Sequence, residues 1–397
     1  MKKTLLAAAS MIALTAGVQA AGHSEVKMGI ILGFTGPIES LTPDMASGAE
    51  MAMTEASESG KFLGGETITP VRADSTCTDA AAASAAAERL ITSDNVVSIM
   101  GADCSGVTTA VANNVAVPNG VVMISPSATS PALTTIDDNG LFFRTAPSDA
   151  RQGSVLADVL MERGTRSVAV TYTNNDYGKG FADAFSSSYE ALGGTVTISA
   201  AHEDGKGDYT AEVGALAAAG GEALVVLGYL DQGGRGIMQG SIDTAAFDTF
   251  YLGDGMIGES ILDVAGLGDV TVVGTVPGAE GENVDRFAEM FSEAAGDGSG
   301  PYRGESYDAA ALMILAIQKA GEADRAQIAG NIMEIANAPG EPIGPGELDK
   351  ALELVAAGTD IDYVGATNVE FTDVGEAAGT YKELTVTDGA WETVKIR

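Results

Sequence analysis

Two short runs of small polar residues follow strand-like segments and could bind a charged small molecule. "GADCSG" occupies residues 101–106 after the apolar "VVSIM", and "SPSATS" occupies residues 125–130 after "GVVMI". Hydroxyl groups and free backbone N–H groups can together hold a carboxylate, and small side chains let a ligand approach the backbone closely. The two runs can therefore form an anion-binding site, although such hydroxyls more often serve only their own turn or helix.

Individual side chains in the strand-end turns could supply the remaining contacts. Ser105 begins a predicted helix, where it can hold a carboxylate or simply cap that helix. Thr129 is a turn residue, and Asp254 follows the predicted strand "TFYL", where its carboxylate can meet a cation or cap a turn. Tyr177 and Tyr229 are predicted to be aromatic tips of flexible loops, which either close over a ligand or pack locally.

Three common motifs of nucleophilic catalysis, phosphate binding and zinc binding are absent from the sequence. It contains no G-x-S-x-G nucleophile motif, no phosphate-binding GxxxxGK[ST] loop and no HExxH zinc motif. The two histidines are His23 and His202, so a Ser-His-Asp triad would depend on His202 alone. We predict that the protein is not an enzyme and that it binds no cofactor and no metal.

The N-terminal segment and the cysteines indicate export. Residues 1–20, "MKKTLLAAASMIALTAGVQA", combine two lysines, a short apolar stretch and a small-residue cleavage site, which is typical of a signal peptide. We therefore predict a periplasmic protein. In an oxidising compartment the pair Cys77 and Cys104 is interpreted first as a disulfide, worth about 3–4 kcal/mol, and secondarily as part of a metal site.

Composition narrows the possible partners. The net charge is −34 and no basic stripe exists, which disfavours nucleic acid and anionic membranes as partners. No apolar run after the signal peptide is long enough to span a bilayer, so we predict no direct membrane insertion. The 397 residues, 45% of them hydrophobic, suffice for two domains with ordinary cores.

Strand-like and helix-like segments alternate in two series, which predicts an α/β protein with two doubly wound parallel sheets. The strands are predicted at 26–33, 67–74, 96–102, 120–126 and 141–147 in the first series, and at 167–173, 195–201, 223–229, 249–255 and 270–278 in the second. The intervening helices include 106–116, 180–192 and 259–266. Consecutive helices after residue 280 suggest a chain that returns to complete the first domain. Ligands of such sheets bind beyond the carboxyl ends of the strands, which predicts a cleft between two lobes.

The sequence from about residue 25 to its end resembles the branched-chain amino-acid-binding proteins of ABC importers. The resemblance rests on the ordered motifs "GFTGP", "DSTCTD", "GADCSGVTTAVAN", "GVVMISPSATSPALT", "LFFRTAPSD", "VTYTNNDYGKGFADAF", "YLGDGM" and "SYDAAALMILAI". It implies a type I periplasmic-binding fold whose two lobes close on an amino acid. We expect one lobe at 21–146 and 276–366, the other at 147–275 and 367–397, and a three-segment hinge near 145–149, 274–278 and 365–372.

The resemblance also implies roles for particular residues. Ser105 would bind the ligand carboxylate, and the turn formed by Ser127, Ala128 and Thr129 would address both the carboxylate and the ammonium. Asp254 would pair with the ammonium, and Tyr177 and Tyr229 would cover the ligand. The Cys77–Cys104 disulfide is implied as well. Two departures, the short Asp254 in place of a glutamate and Leu41 in place of an aromatic, leave the ligand side chain open.

The leading hypothesis is thus a monomeric periplasmic binding protein that delivers an amino acid, branched-chain or otherwise aliphatic, to an ABC permease. An alternative with the same fold binds an amide, a urea or an aromatic carboxylate, and leaves Asp254 without an ammonium. A third hypothesis, an exported α/β hydrolase or a sensor module, is disfavoured by the missing nucleophile motif and the missing signalling domain.

Overall fold

A computed structural model describes residues 25–296, 298 and 300–397. The predicted signal peptide, residues 1–20, and His23 lie outside the described residues. Within the part that is described, none of the helices combines the length and the hydropathy needed to cross a bilayer.

Five parallel strands form the first sheet, in the spatial order β2-β1-β3-β4-β5. Their bounds are β1 Glu25–Leu32, β2 Thr67–Asp74, β3 Ser98–Gly101, β4 Val122–Ser125 and β5 Phe142–Arg144. Every residue of β3, β4 and β5 is buried, as expected for a parallel sheet covered by helices on both faces. Its polar turns therefore meet at one edge of the sheet.

Seven strands form the second sheet, in the order β14-β13-β10-β9-β8-β6-β7. Their bounds are β6 Ser167–Thr173, β7 Thr195–His202, β8 Ala223–Leu227, β9 Thr249–Leu252, β10 Thr271–Pro277, β13 Tyr381–Thr387 and β14 Ala390–Ile396. The strands from β6 to β10 are parallel, whereas β13 and β14 add an antiparallel hairpin at one edge. A separate parallel pair consists of β11 Glu341–Ile343 and β12 Ile361–Tyr363.

Eleven α-helices surround the sheets in the described residues. They are α1 Thr42–Glu58, α2 Ala80–Thr92, α3 Ser105–Val111, α4 Asp149–Glu162, α5 Asp176–Ala191, α6 Thr210–Ala219, α7 Gly233–Asp243, α8 Glu282–Ala295, α9 Arg303–Ala320, α10 Arg325–Ala336 and α11 Leu348–Ala356. Helices α4 to α7 pack on the second sheet, and the others belong with the first, where α9 lies buried between α1 and α10. We call each sheet with its helices a lobe. The predicted fold class, two doubly wound α/β lobes, is confirmed.

Three segments carry the chain between the lobes, at residues 145–148, 278–281 and 364–380. Helix α9 forms hydrogen bonds with two of these three connecting segments. The Thr145 hydroxyl donates to the Glu305 carbonyl at 2.8 Å, and the Asp308 carboxylate accepts hydrogen bonds from the Tyr363 hydroxyl and from the N–H groups of Ala366 and Thr367. The first turns of α9 therefore anchor the connections between the lobes.

Some predicted helix boundaries were wrong, for local reasons. The helix predicted at 180–192 begins at Asp176, because the Asn175 side chain accepts a hydrogen bond from the Gly178 N–H and caps it. The helix predicted at 259–266 is a short 3-10 turn, Glu259–Asp263. The one predicted at 106–116 changes after Val111 from α-helix to a π-helical turn.

Candidate ligand-binding site

The predicted disulfide joins Cys77 to Cys104, so that prediction is confirmed. It ties the turn after β2 to the residue immediately before α3, and Ser105 is the first residue of that helix. The bond therefore fixes the entry to α3. The described residues contain no group of three or more His, Cys, Asp or Glu side chains that could hold a metal ion.

A cavity lies between the lobes at the carboxyl ends of the strands. The first lobe contributes one set of walls: Ile38, Leu41, Met45, Asp103, Cys104, Ser105, Ser127 and Tyr302. The second lobe contributes Tyr177, Tyr229, Asp254 and Gly255. The space open to the centre of a water molecule is about 20 Å³, which suits roughly one water. The lobes are thus closed on each other and must separate to admit anything larger.

Five of the predicted site residues line this one cavity: Ser105, Ser127, Tyr177, Tyr229 and Asp254. Ala128 and Thr129 are fully buried in the adjoining turn, behind the cavity wall. Packing therefore brings together residues that are as far as 149 positions apart in the chain.

Hydroxyl groups form much of the polar wall on the first lobe, beside the buried Asp103, whose carboxylate accepts hydrogen bonds from the Gly33 N–H and the Ser75 hydroxyl. The Ser105 hydroxyl accepts a hydrogen bond from the Ser130 N–H at 3.1 Å, which leaves its own proton available for a ligand oxygen. The Ser127 hydroxyl donates to the Asp103 carbonyl at 3.1 Å. The Ser125 hydroxyl accepts from the Ala128 N–H at 2.9 Å. This wall can therefore donate hydrogen bonds to a carboxylate, through the Ser105 hydroxyl above all.

Arg144 holds the serine-rich turn in place, a role that the sequence did not predict. Its guanidinium is buried and donates to the carbonyls of Ala128 and Ser130 at 3.0 and 2.9 Å. It also forms an ion pair with Glu376, which lies in the third connecting segment. Because the guanidinium is occupied by these partners, it orients the turn and does not line the cavity.

Asp254 provides the negative charge on the second lobe. It follows β9, and its two carboxylate oxygens accept hydrogen bonds from the Tyr177 hydroxyl at 2.9 Å and the Tyr302 hydroxyl at 2.5 Å. Burial raises the pKa of Asp254, although both tyrosines act in the opposite direction. The two hydroxyls replace part of the hydration that the buried carboxylate has lost.

Asp149 is a second buried acid near the site, and sequence reasoning missed it. It is the first residue of α4, and among the described residues neither of its carboxylate oxygens has a hydrogen-bond partner. Burial raises the pKa of Asp149 well above its usual value, and the charge of Asp254 raises it further, while the nearby Thr129 and Arg144 lower it. The Thr129 hydroxyl is likewise buried without a bond in the described structure. Two buried carboxyl groups whose charges interact favour a nearby cationic group.

The tyrosines are not tips of flexible loops, so that prediction was wrong. Tyr177 lies in the first turn of α5 and Tyr229 follows β8, with exposed fractions of 3% and 4%. Their rings stack at 5.2 Å between centroids and 12° between planes. Burial raises the pKa of both phenols well above the usual value, so they stay protonated and can donate hydrogen bonds.

His202 has no part in the cavity. It ends β7, is buried, and its Nδ1 lies 2.8 Å from the Thr171 hydroxyl. Burial lowers the pKa of His202 to about 4, so the ring is neutral at physiological pH. The hydrolase hypothesis thus lacks its only candidate base at this site.

Hydrogen bonds between the lobes keep the cleft closed. The Asp231 carboxylate accepts from the Ser40 N–H at 2.9 Å, and its own N–H donates to the Pro37 carbonyl at 3.0 Å. On the other side of the cavity, the Ser130 hydroxyl donates to the Asp176 carbonyl at 3.0 Å. Together with Tyr302–Asp254, these bonds join the rims of the two lobes.

Comparison with known proteins gives consistent results. The sequence profile of the periplasmic binding protein family matches residues 25–352. The substrate-binding protein BasB of a chemotactic signal transduction system in Halobacterium salinarum is 27% identical over 382 residues, covering 94% of this chain and 89% of that protein. The leucine-, isoleucine-, valine-, threonine- and alanine-binding protein of Pseudomonas aeruginosa is 29% identical over 308 residues, covering 77% and 81%. The substrate-binding protein LivJ of Streptococcus pneumoniae, solved with isoleucine, shares the fold with a TM-score of 0.78 at 21% identity, covering 94% and 99% of the chains.

Proposed function

Because this chain belongs to the periplasmic binding protein family, we propose that it captures an α-amino acid with an aliphatic side chain and delivers it to an ABC permease. In this proposal residues 21–146 and 276–366 make up the first lobe, apart from Val276 and Pro277, which end β10 of the second sheet, and residues 147–275 and 367–397 make up the second. The protein acts in the periplasm as a monomeric binding component, after removal of residues 1–20, and not as an enzyme.

The distribution of charge across the cavity carries the proposal. Ser105 and the turn before Ser130 offer hydrogen-bond donors on the first lobe, whereas Asp254 offers a buried carboxylate on the second. Asp149, at the start of the first helix of the second lobe, adds a further acid. A zwitterion placed between them has its carboxylate met by one lobe and its ammonium by the other. Both of its charges are then paired, as burial in a closed cavity requires.

Three apolar side chains support an aliphatic ligand. Ile38, Leu41 and Met45 line the cavity next to Ser105 and are nearly or fully buried. Methyl and methylene groups in contact with them gain about 25 cal/mol per Å² of apolar area removed from water. A charged side chain would lose its hydration at this wall without a charged partner.

Division of the charges between lobes couples binding to closure. An open cleft offers the ligand only one of its two charged contacts at a time. The closed form therefore binds the amino acid more tightly, and this difference in affinity is what shifts the lobes towards closure. A permease that recognises the closed form can thus distinguish loaded from empty protein.

A second candidate function, binding of an amide, a urea or an aromatic carboxylate, has one observation in its favour. Asp254 already accepts two hydrogen bonds, from Tyr177 and Tyr302. With a ligand that has no ammonium, Asp254 would still keep these two hydrogen bonds. The site therefore tolerates such a ligand better than it would if the carboxylate of Asp254 had no hydrogen-bond partner.

A thermal-shift series on the purified mature protein tests the proposal. Leucine is compared with 4-methylpentanoate, which lacks the amino group, and with 3-methylbutylamine, which lacks the carboxylate. A ligand at 100 times its dissociation constant stabilises by about 2.7 kcal/mol. At the concentration at which leucine or another aliphatic amino acid saturates its site, well below the roughly 10 mM range of weak carboxylate binding, we expect stabilisation by that amino acid and by neither truncated analogue. Stabilisation by benzoate, urea or an amide, with none by any amino acid, supports the second candidate instead.

A further inference from the structure

A groove beside the connecting segments, about 540 Å³ in volume, is separate from the cavity around Asp254. Its walls come from both lobes: the start of α8 and the start of α9 on one side, and the β13–β14 hairpin with the turn after β9 on the other. Tyr302 is the one residue among those described that lines both spaces. A volume of this size accommodates a small molecule.

Apolar side chains line both walls of the groove. Trp391, the only tryptophan of the chain, and Leu262 belong to the second lobe, whereas Val284 and Phe287 belong to α8 of the first. The Trp391 Nε1–H donates to the Gly258 carbonyl at 3.1 Å, which fixes the ring with its polar atom satisfied. The indole therefore offers a fixed apolar surface to an occupant.

Two basic side chains, Arg303 and Lys382, line the groove from opposite lobes. Among the described residues, neither forms an ion pair, although acidic residues outnumber basic ones 55 to 21 in the chain. Arg303 lies 4.9 Å over the Phe291 ring, and desolvation lowers the pKa of its guanidinium. Half-buried cations without an ion-pair partner among the described residues favour an anionic occupant, even though the charges of Asp44 and Glu305 also act on Arg303.

Acids also line the groove: Glu259, Asp285 and Glu305. The charges of both cations act on Glu305, which is 6% exposed. Burial raises the pKa of Glu305 to about 7, so a large share of the molecules hold this carboxyl protonated at neutral pH. In that form it does not repel an anion and can donate a hydrogen bond to one.

We propose that this groove is a second ligand site, which takes a small carboxylate with an apolar body. The carboxylate lies between Arg303 and Lys382, and the apolar body packs on Trp391 and Phe287. Because the two cations belong to different lobes, an occupant bridges them and affects the same opening and closing that the amino acid controls.

Intrinsic fluorescence tests the second site directly, since Trp391 is its sole reporter. Hexanoate is titrated into the Asp254→Asn variant, in which the amino-acid site is impaired, so the outcome does not depend on the function proposed above. We expect a saturable fluorescence change and a matching thermal shift, and neither with hexylamine or hexanol. Inorganic phosphate is the second comparison. An equal response to phosphate would overturn the claim that an apolar ligand body packs on Trp391 and Phe287.

Matched variants locate the site. Lys382→Gln and Arg303→Gln are each expected to weaken hexanoate binding about tenfold, the equivalent of one lost charged contact, while Arg303→Lys retains much of it. Lys395→Gln is the control, because Lys395 lies on the same hairpin, is exposed and pairs with Glu162. Thermal unfolding of each variant confirms that it is folded. The proposal is overturned by the absence of a saturable response at about 10 mM hexanoate, or by a response unchanged in both glutamine variants.

Discussion

The hydroxyl of Tyr302 donates a hydrogen bond to the carboxylate of Asp254 across the cleft. Tyr302 immediately precedes α9 of the first lobe, and Asp254 follows β9 of the second. The backbone of Tyr302 has a positive φ of 68°, which is uncommon for a residue with a side chain. The bond thus joins the lobes through the same acid that we assign to the ligand ammonium. The Tyr302 hydroxyl and the ammonium therefore share Asp254 as their partner.

Removing the Tyr302 hydroxyl is expected to open the ligand-free protein. In the Tyr302→Phe variant the closed form loses a charge-assisted hydrogen bond of roughly 1.5–3 kcal/mol, whereas a bound ammonium can take its place. Small-angle scattering should show a larger radius of gyration for the unliganded variant and a normal one with ligand. Tyr251→Phe serves as the control, since that hydroxyl pairs with Thr165 within the second lobe. An unchanged scattering profile for Tyr302→Phe would show that this hydrogen bond does not hold the lobes closed.

Substitution of either charged contact is expected to weaken amino-acid binding. Asp254→Ala and Ser105→Ala should each cost at least about tenfold in affinity by calorimetric titration, because each removes a charge-assisted hydrogen bond of about 1.5–3 kcal/mol. The matched control is Asp263→Ala, a change to an acid of the second lobe that does not line the cavity. Titrations that match the wild type for both variants would refute the assigned roles.

Asp149→Asn separates the effect of the second acid from that of Asp254. Its carboxylate is buried without hydrogen bonds in the described structure, so we expect the variant to unfold at a higher temperature and to bind the amino acid more weakly. Because burial and Asp254 raise the pKa of Asp149, wild-type affinity should rise with pH as this group ionises, and the variant should lose that part of the pH dependence. Equal pH profiles of affinity would contradict a contact between Asp149 and the ammonium.

Glu305 makes stability depend on pH near neutrality. Burial raises the pKa of Glu305 in the folded protein to about 7, well above the usual value for a glutamate. The folded state holds this proton more tightly, so stability is fully present below the unfolded pKa and is lost as the pH rises through about 7. Glu305→Gln should therefore be more stable relative to wild type at pH 8 than at pH 5, by roughly 3 kcal/mol in urea unfolding. The control is Glu293→Gln, at an exposed position on α8. Its stability relative to the wild type should be the same at pH 5 and at pH 8.

The disulfide is expected to support both stability and binding. Cys77 and Cys104 are separated by 27 residues, a loop for which the chain-entropy estimate is about 3–4 kcal/mol. The double variant Cys77→Ser/Cys104→Ser should lose about that much stability in guanidinium unfolding and should also bind more weakly, because Cys104 directly precedes Ser105. Retained affinity at temperatures where the variant is folded would mean that Ser105 does not need the bond.

Local sequence patterns predicted most of the fold. Alternation of strands and helices predicted the parallel strands of both sheets, because short apolar segments such as those of β4 and β8 recur between helical patterns. The start of α5 at Asp176 could also have been predicted, because asparagine is a favoured N-cap residue and Asn175 directly precedes the helix. The short 3-10 turn near residue 260 could not be predicted from the local sequence. It lies next to Gly258, which packs closely against Leu41 and Leu230.

The acids and cations that support the site were harder to predict. Asp149 looks like an ordinary first-turn acid of a helix, and only packing sets it beside Asp254, which lies 105 positions later. Arg144 and Glu376 form their ion pair over 232 positions. Such contacts have no local signature, whereas Ser105 and Thr129 lie in short motifs that the sequence carries intact.

The most direct test of the account is a crystal structure of the protein with the amino acid that stabilises it most. We predict a carboxylate oxygen of the ligand within about 3.2 Å of the Ser105 hydroxyl and its ammonium nitrogen within about 3.2 Å of an Asp254 oxygen, with one contact on each lobe. A ligand whose two charges are both held by a single lobe, or one that lies outside this cavity, would contradict the account.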